Sequence, residues 1–509
     1  MSESNVPEVG GLAALSTEER RAIMLINDGN TDESRIEQVI RDLFVWGVVT
    51  KSSDLHLSGR GDRESPVIVA NVRTPSGFRN FLFRYPTSKG RHWQTKLFSL
   101  TGTPQGASTP DISSTRFEMV LPAKFALAHG LKPFEGEDTY PVDVRVEYTK
   151  TFNGFSFVCR LLDSQRAPKL HELGLSYTMH RVILRALAEP SGLILVTGPT
   201  GSGKTTLLNA MLGVLNDGTR AIHTIEHPVE IALRGWGPIK QVQIGGNITF
   251  PRALRSALRQ DPDVIMIGEI RDAETMEIAL QAAQTGHLVL ATLHTNNSAE
   301  TYTRAIDLTM DKERDAYRLA QSVKLVTAQR LLDRYEGEAS TRALSRDERE
   351  WLSANGMHLG AQITETVPVV EAGRPKRAGK VALLETIVTT HEIKQLLRSA
   401  RVNTSDIYKA ACNQDQFEPL AMGGVRAMQG LGARLQDCVE QLESMTDAEQ
   451  TPCLRLQLAE RYRLNYVEVA EAIDAYHRAA DAGSHQTLEA FFAQRCGAPH
   501  GANLEEEVV

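Results

Sequence analysis

The sequence predicts an α/β protein whose central domain contains a parallel β-sheet, preceded by a smaller α+β domain and followed by helices. Between residues 170 and 330, short continuous apolar runs alternate with segments of helical pattern. Such runs are typical of strands that are covered on both faces. Between about 51 and 165, alternating apolar and polar runs are separated by Gly, Pro and Ser, which indicates a domain rich in hairpins. The last hundred residues have a mainly helical pattern.

Composition places the chain among ordinary globular proteins. Its 509 residues are 41% hydrophobic and 23% charged, with a net charge of −7. This length is sufficient for several domains with a substantial core. The negative net charge argues against direct nucleic-acid binding, which usually needs a basic surface.

Localisation is predicted from three absences in the sequence. The polar start "MSESNVPEVGG" lacks a signal peptide's apolar region, and no apolar run approaches the ~18–20 residues of a membrane span. Five cysteines lack C-x-x-C spacing, so we expect buried, reduced thiols: Cys159, Cys412, Cys438, Cys453 and Cys496. We therefore expect a cytoplasmic protein whose association with a membrane is peripheral.

The predicted N-terminal part contains two segments. Residues 1–50 are predicted to be helical, with a capping box at Ser16 and Glu19 and an apolar face on the second helix: Ile36, Val39, Ile40, Leu43 and Phe44. Residues 51–165 are predicted to form the α+β domain. Its hairpins turn at "PSG" and "NG", and 101–114 is predicted to be an exposed loop.

The remainder of the chain is predicted to form the central domain and a helical region. The central domain covers 166–400, with a polar insertion near 334–380, and the helices cover 401–509. One helix is expected to begin at a capping box, Asn465 with Glu468, and to stop at Gly483. The amphipathic spacing of residues 446–509 suits either packing onto the central domain or a docking surface.

A glycine-rich loop, "GPTGSGKTTLL", follows the apolar run "LILV" and opens the helical segment "KTTLLNAML". It fits the phosphate-binding pattern G-x-x-x-x-G-K-[ST] in the strand–loop–helix context that this pattern requires. Lys204 is expected to neutralise the β- and γ-phosphates of ATP, and Thr205 to ligate Mg²⁺. The loop and the helix start are predicted to bind the nucleotide: Gly198, Pro199, Thr200, Gly201, Ser202, Gly203, Lys204, Thr205 and Thr206.

Carboxylates follow two of the other predicted strands. Glu226 and Glu230 lie in "TIEHPVE" at the end of one strand. They are interpreted as a general base or water-positioning group, the alternative being solvated acids at a turn. Glu269 follows "VIMI", where the carboxyl end of a parallel strand is expected to hold Mg²⁺ and its waters.

Histidines flank the last of these strands. His287 and His294 stand at the two ends of "LVLATL". A single histidine can be an ordinary polar residue, but at a strand end beside a nucleotide site His294 is a candidate sensor of the γ-phosphate.

These four blocks, in this order, resemble the secretion ATPases of the type II secretion and type IV pilus superfamily. "GPTGSGKT" looks like the Walker A motif, "TIEHPVE" the Asp box, "DPDVIMIGEIRD" the Walker B motif and "TGHLVLATLHTN" the His box. "SSDLHL" (52–57) and the strand pair "VDVRVEYTKTFNGFSFVCRLLD" (142–163) are similar to the start and end of the family's N-terminal domain. The resemblance covers about 33–445.

The resemblance implies a RecA-like P-loop ATPase domain preceded by a PAS-like domain, assembled as a homohexamer that binds ATP and Mg²⁺. It implies that Glu230 is the catalytic glutamate, that Glu269 is the Walker B carboxylate, and that Arg145 and Arg160 reach toward the phosphates. The alternative for both arginines is a solvated strand face. The implied partner is an inner-membrane platform protein of a pilus or secretion machine.

This sequence departs from the family pattern at three places. His227 replaces the usual Asp of the Asp box. Residues 334–380 contain no cysteine where many assembly ATPases carry a zinc module, so no zinc is expected. The segment before "SSDLHL" is shorter than the membrane-docking domain that many members carry.

Within the superfamily, the Walker B and His-box region and the long 334–445 segment look more like the pilus-assembly and type II secretion branch. Pilus retraction and a conjugation-type or type IV secretion ATPase are the nearest alternatives. An ATP-binding structural subunit that does not hydrolyse ATP is the alternative of another class. It would be expected to lack Lys204, Glu230 or Glu269, and all three are present.

Overall fold

The computed structural model describes residues 33–60, 67–74, 77–84, 87–101, 111–131, 133, 138–152, 154–162, 168–233, 237–371, 374–375, 377–399, 402–442 and 452–496. The chain divides into two compact units, Met1–Ala167 and Pro168–Val509. The predicted helix near Ser16 and most of the predicted loop at 101–114 lie outside the described residues. Among the described helices, none has the length and apolar character needed to cross a membrane.

The N-terminal unit contains one antiparallel sheet with helices. Its elements are α1 (Glu33–Val49), β1 (Asp54–Arg60), β2 (Val67–Thr74), β3 (Gly77–Arg84), α2 (Thr87–Thr101), β4 (Ile112–Pro122), α3 (Ala123–Ala128), β5 (Thr139–Thr151) and β6 (Gly154–Leu162). The strand order is β3-β2-β1-β6-β5-β4. Both predicted hairpins, β2–β3 and β5–β6, are confirmed by antiparallel pairing.

The core of this unit includes the apolar face predicted for α1. All five of the predicted face residues are buried, and they join side chains from α2 and the sheet in one cluster. Aromatic rings of Phe98, Tyr148 and Phe157 pack together in that cluster, with centroids 4.8–5.3 Å apart.

The C-terminal unit begins with a 3₁₀ helix at Leu170–Glu172. Its next elements are α4 (Tyr177–Leu187), β7 (Gly192–Thr197), α5 (Lys204–Leu215), β8 (Ile222–Glu226), β9 (Ile239–Gln243), α6 (Phe250–Ala257), β10 (Val264–Ile267), α7 (Ala273–Gln284), β11 (Leu288–Leu293), α8 (Ser298–Asp307), α9 (Lys312–Ser322) and β12 (Val323–Tyr335).

The chain continues with β13 (Gly337–Ala343), α10 (Arg346–Ala354), β14 (Gln362–Pro368), β15 (Val370–Glu371), β16 (Arg374–Pro375), β17 (Arg377–Val388), α11 (His391–Leu397), α12 (Thr404–Cys412), α13 (Leu420–Gly430), α14 (Leu435–Gln441), α15 (Leu454–Tyr462), α16 (Tyr466–Asp481) and α17 (Leu488–Cys496). The predicted polar insertion thus contains the β13–β14 pair, and its last residues already belong to β17.

The main sheet has the order β17-β12-β7-β11-β10-β8-β9. Every neighbouring pair is parallel except β12–β17, which is antiparallel. The four strands predicted from apolar runs are confirmed as β7, β8, β10 and β11. Along β7, Leu193 and Leu195 enter one core and Ile194 and Val196 enter another, so both faces are covered and the run is apolar throughout.

The C-terminal helices complete the larger of these two cores. Buried side chains from α12 to α17 pack in the cluster that also contains residues of α7, α8 and the sheet. Glu418 accepts two hydrogen bonds from the Arg426 guanidinium, at 2.8 and 2.9 Å, and lies 3.5 Å from Arg455 of α15. Burial acts to raise the pKa of Glu418, but the two arginines outweigh it and leave the pKa below its ordinary value.

All five cysteines are free thiols, as the sequence predicts, and four of them are buried. Burial raises the pKa of Cys453 to about 11, so this thiol stays protonated and weakly reactive at neutral pH.

Helix α16 follows the predicted boundaries and contacts the first helix of the unit. Its capping box at Asn465 and Glu468 is confirmed, and Gly483 follows the helix with φ +98°. From α16, the Asp474 carboxylate accepts hydrogen bonds from the N–H groups of Tyr177 and Thr178 at 3.0 and 2.8 Å, and from the Thr178 hydroxyl at 2.6 Å. A residue distant in sequence therefore caps α4.

Replacing Asp474 with Ala should destabilise the C-terminal unit. The change removes a carboxylate from the N-terminus of α4 and leaves two helix N–H groups without their acceptor, a loss of about 1–3 kcal/mol. Urea unfolding of the full chain measures it. Glu471→Ala, at an exposed position of the same helix, is the control, and equal midpoints for the two variants would contradict the capping role.

Candidate functional site

The glycine-rich loop joins the carboxyl end of β7 to the start of α5. Gly198, Gly201 and Gly203 all have positive φ, at 140°, 82° and 89°, in regions that other residues rarely adopt. Gly203 is the residue that caps α5, and it provides no side-chain cap. The N–H groups of the first helical turn therefore point toward the loop, as an anion site requires.

Strand β12 packs against this loop, and its close approach leaves no room for a side chain at two of the glycines. A Cβ atom at Gly198 would lie 2.5 Å from the backbone oxygen of Gln329, and one at Gly203 would lie 2.8 Å from the Gln329 side-chain nitrogen. A Cβ at Gly201 would meet nothing within 4 Å. The loop is thus packed against its neighbour at its ends and open in its middle.

Lys204, the first residue of α5, lies folded against the loop. Its ammonium group donates hydrogen bonds to the backbone oxygens of Gly198 and Pro199 at 2.7 and 3.0 Å. Burial and the nearby Arg330 lower the pKa of Lys204, while Glu269 acts to raise it. The charge is therefore held by weak acceptors that a phosphate could replace.

Strands β10 and β11 bring Glu269 and His294 to the same cleft. Glu269 lies 2.7 Å from the Arg271 guanidinium and 3.7 Å from His294 Nε2. Burial and Lys204 lower the pKa of His294 against the opposing effect of Glu269. The imidazole is consequently neutral at pH 7 and can either donate or accept a hydrogen bond.

The two glutamates after β8 occupy different environments. Glu226 is buried, and its carboxylate accepts hydrogen bonds from the Thr224 hydroxyl at 2.6 Å and the Gln241 amide at 3.2 Å. Glu230 is exposed and lines the cleft. The peptide bond between His227 and Pro228 is cis.

The cleft formed by these elements has a volume of about 490 Å³. Most of the predicted site residues line it: Thr200, Gly201, Gly203, Lys204, Thr205, Thr206, Glu230, Glu269 and His294. Gly198, Pro199 and Ser202 belong to the loop without lining the cleft. His287 lies at the other end of β11, in a groove with residues of α6 and α7.

Arg145 and Arg160 lie in the N-terminal unit, directly opposite each other on β5 and β6. Arg116 of β4 is paired with Arg145 on its other side. The Arg160 guanidinium lies 3.1 Å from Asp54, and the Arg116 guanidinium 2.6 Å from Asp143. The sheet thus carries three arginines in one row.

Sequence reasoning missed three polar residues of the site. Arg271 and Thr292 line the cleft, and the Thr292 hydroxyl donates to the Gly268 backbone oxygen at 2.5 Å. Arg330 of β12 donates to the backbone oxygen of Asn296 at 2.7 Å. Arg271 could have been found from its position two residues after Glu269, whereas the other two act through backbone contacts that leave no sequence pattern.

The residues present fit a magnesium nucleotide. The helix start and the loop provide N–H groups for phosphates, and Lys204 provides a cation that, within the described part of the chain, hydrogen-bonds to backbone oxygens. Among the described residues there is no group of three or more His, Cys, Asp or Glu side chains that could hold a metal. A hydroxyl and one carboxylate, Thr205 and Glu269, match the sparse protein ligation of Mg²⁺, which takes its other ligands from phosphates and water.

The model of the family described as type II/IV secretion system protein matches residues 137–436. The type II secretion system protein E of Pseudomonas aeruginosa is 49% identical over 192 residues, which are 38% of this chain and 37% of that protein. The type IV pilus assembly ATPase PilB of the same organism is 50% identical over 196 residues, 38% of this chain and 33% of that protein. The chain thus matches about a third of the length of each of these two relatives.

A solved structure of the pilus retraction motor PilT with bound ADP shares the fold. It is 25% identical to this chain with a TM-score of 0.52, and the match covers 79% of this chain and 96% of that one. The family resemblance inferred from the four motifs is confirmed by these findings.

Substituting Ala at Gly198 should disrupt the loop more than the same change at Gly201. Both positions impose a strained φ on Ala, costing about 1–2 kcal/mol, but at Gly198 the added methyl also meets the Gln329 backbone oxygen, which cannot rotate away. Thermal unfolding and the affinity for a fluorescent ATP analogue measure both effects. Equal losses in the two variants would show that packing against β12 does not shape the loop.

Proposed function

The chain belongs to the type II/IV secretion system protein family, and from this premise we propose that it is a motor ATPase that drives type IV pilus assembly or type II secretion. The observation that carries the proposal is the convergence of Lys204, Glu230, Glu269 and His294 on one cleft beside a phosphate-binding loop. This arrangement suits hydrolysis of a phosphoanhydride.

Each residue of the cleft has a role that its position supports. Residues 198–206 hold the phosphates, and Lys204 exchanges its backbone partners for the β- and γ-phosphates. Thr205 and Glu269 hold Mg²⁺, which when bound neutralises charge on the phosphates. Glu230 orients the attacking water, since its carboxylate is exposed to the cleft whereas that of Glu226 is engaged. His294 contacts the γ-phosphate.

Arg145 and Arg160 are proposed to contact the phosphates from the N-terminal unit. Like charges directly opposite each other on neighbouring strands destabilise a sheet, and Arg116 adds a third positive charge to the same row. Asp54 lies beside Arg160, and Asp143 lies beside Arg116. An anion bound to this row would lower the repulsion among the three guanidinium groups.

The broader features come from the family resemblance and are proposed with the function. They are a homohexamer with a RecA-like ATPase domain and a PAS-like N-terminal domain, located in the cytoplasm at the inner membrane. Hydrolysis would drive motion between domains that acts on a membrane platform protein. The named relatives support assembly or secretion, and the similarity to a retraction motor keeps retraction as the second candidate.

Replacing Lys204 with Ala, or Glu230 with Gln, should abolish most phosphate release from ATP. Loss of the water-orienting carboxylate is expected to lower kcat by about two decades or more, whereas loss of the lysine should also weaken ATP binding. Steady-state phosphate release and ATP-analogue binding separate the two effects. Glu471→Ala, outside the cleft, is the control, and wild-type turnover in both variants would overturn the site assignment.

Deleting the gene in its native host distinguishes the branches of the family. The proposal expects loss of surface filaments or of a type II secreted protein, restored by the wild-type gene and not by the Lys204→Ala gene. Electron microscopy of the cells and analysis of the culture medium measure the two readouts. Filaments that persist in excess would instead indicate retraction, and normal filaments with normal type II secretion would contradict the proposal.

A further inference from the structure

One side chain holds the segment that carries Glu230. The segment 227–233, called the Glu230 loop below, leaves β8 after Glu226 and runs beside the edge strand β9. The Gln241 side-chain amide of β9 donates to Glu226 Oε1 at 3.2 Å and to the backbone oxygen of Ile231 at 3.0 Å. Its oxygen accepts from the Leu233 N–H at 2.7 Å.

We propose that Gln241 is a positioning residue for ATP hydrolysis, which sets the place of the Glu230 carboxylate over the cleft. The inference rests on the proposed function and deepens it, because Gln241 acts through Glu230. The glutamine itself does not line the cleft. It instead ties both the last residue of β8, Glu226, and the residues after Glu230 to strand β9.

The contacts require an amide in one orientation. The two groups facing the nitrogen, a carboxylate and a backbone oxygen, only accept hydrogen bonds, and the group facing the oxygen, a backbone N–H, only donates. A flipped amide would face acceptors with its oxygen and lose all three bonds. A carboxylate or an apolar side chain at this position cannot reproduce the set.

Two further hydrogen bonds, one to the last residue of β9 and one from the residue after it, also hold this segment. The Ile244 N–H donates to the backbone oxygen of Glu226 at 2.8 Å, and the Val229 N–H donates to the Gln243 side-chain oxygen at 3.3 Å. Strand β9 therefore acts as a template for the Glu230 loop, and Gln241 makes the largest number of these bonds. Displacement of a catalytic group by about 1 Å can lower a rate by about 100-fold, so loss of this template should be visible in kcat.

The first experiment compares Gln241→Leu with Gln260→Leu in the full chain. Gln260 is an exposed glutamine whose side chain bonds Ser256 and Lys240 outside the cleft. Gln241→Leu is expected to lower kcat about 10- to 100-fold with KM for ATP and ATP-analogue affinity within about twofold of wild type, since the phosphate-binding loop is untouched. Gln260→Leu should leave kcat unchanged.

Gln241→Glu distinguishes positioning from packing. Glutamate has the same shape as glutamine but loses both donors and places a second carboxylate beside Glu226. If Gln241 only fills space, this variant keeps wild-type turnover, which overturns the proposal. If Gln241 positions the loop, kcat falls as in Gln241→Leu, with melting temperatures recorded to show that each variant is folded.

A double variant tests whether Gln241 acts through Glu230. In Glu230→Gln the water-orienting group is already lost, so adding Gln241→Leu should lower kcat by less than about twofold, because groups that act as one unit are not additive. A full multiplicative loss would show an independent role and overturn the proposal. Wild-type turnover in Glu230→Gln alone would instead overturn the proposed function, which keeps the two failures distinguishable.

Discussion

The candidate site depends on the burial of four parallel strands on both faces. Every residue of strands β7, β8, β10 and β11 is buried, and the apolar side chains on them enter one of two cores. Side chains that contact a ligand must therefore lie beyond the ends of these strands. All of them are parallel, so their carboxyl ends lie at the same edge of the sheet, and the loop, both glutamates and His294 are brought there together.

Hydrogen bonds between strand ends hold that edge in register. The Thr197 hydroxyl donates to the Leu293 backbone oxygen at 3.0 Å, and the Thr295 N–H donates back to it at 2.8 Å. The Gly268 N–H donates to the Ile225 backbone oxygen at 2.8 Å, and Thr292 holds the Gly268 oxygen. Each strand end is thus fixed to its neighbour, and this sets the separation of the polar side chains that follow the strands.

The segment beyond the family match is part of the same structure. The match ends at residue 436, yet helices α15 to α17 add buried side chains to the core shared with the main sheet. Asp474 caps α4, and Asp481 lies 2.7 Å from Arg181 of that helix. Since α4 leads directly into β7, these helices support the strand from which the glycine-rich loop begins.

The local pattern of the sequence determined the place of the glycine-rich loop between a strand and a helix, four strands of the main sheet, the hairpins of the N-terminal unit and the limits of α16. Each rests on neighbouring residues: glycines with required φ, apolar runs with both faces covered, or a capping residue three positions from its partner. Strands β9, β12 and β17 were not identified. Strand β9 is half-exposed and forms beside β8, and β17 pairs antiparallel with β12. Both strands depend on partners that are not adjacent in the sequence.

The tertiary structure alone decided which polar residues support the site. In the sequence, Glu226 and Glu230 are two similar acids on either side of a proline. In the folded chain, Glu226 is buried and hydrogen-bonded, whereas Glu230 is exposed. The tertiary structure also placed Gln329 against the glycine loop and Gln241 against the Glu230 loop. A hydrogen bond between a side chain and a distant backbone group leaves no periodicity or spacing in the sequence, because its geometry exists only once the strands have paired.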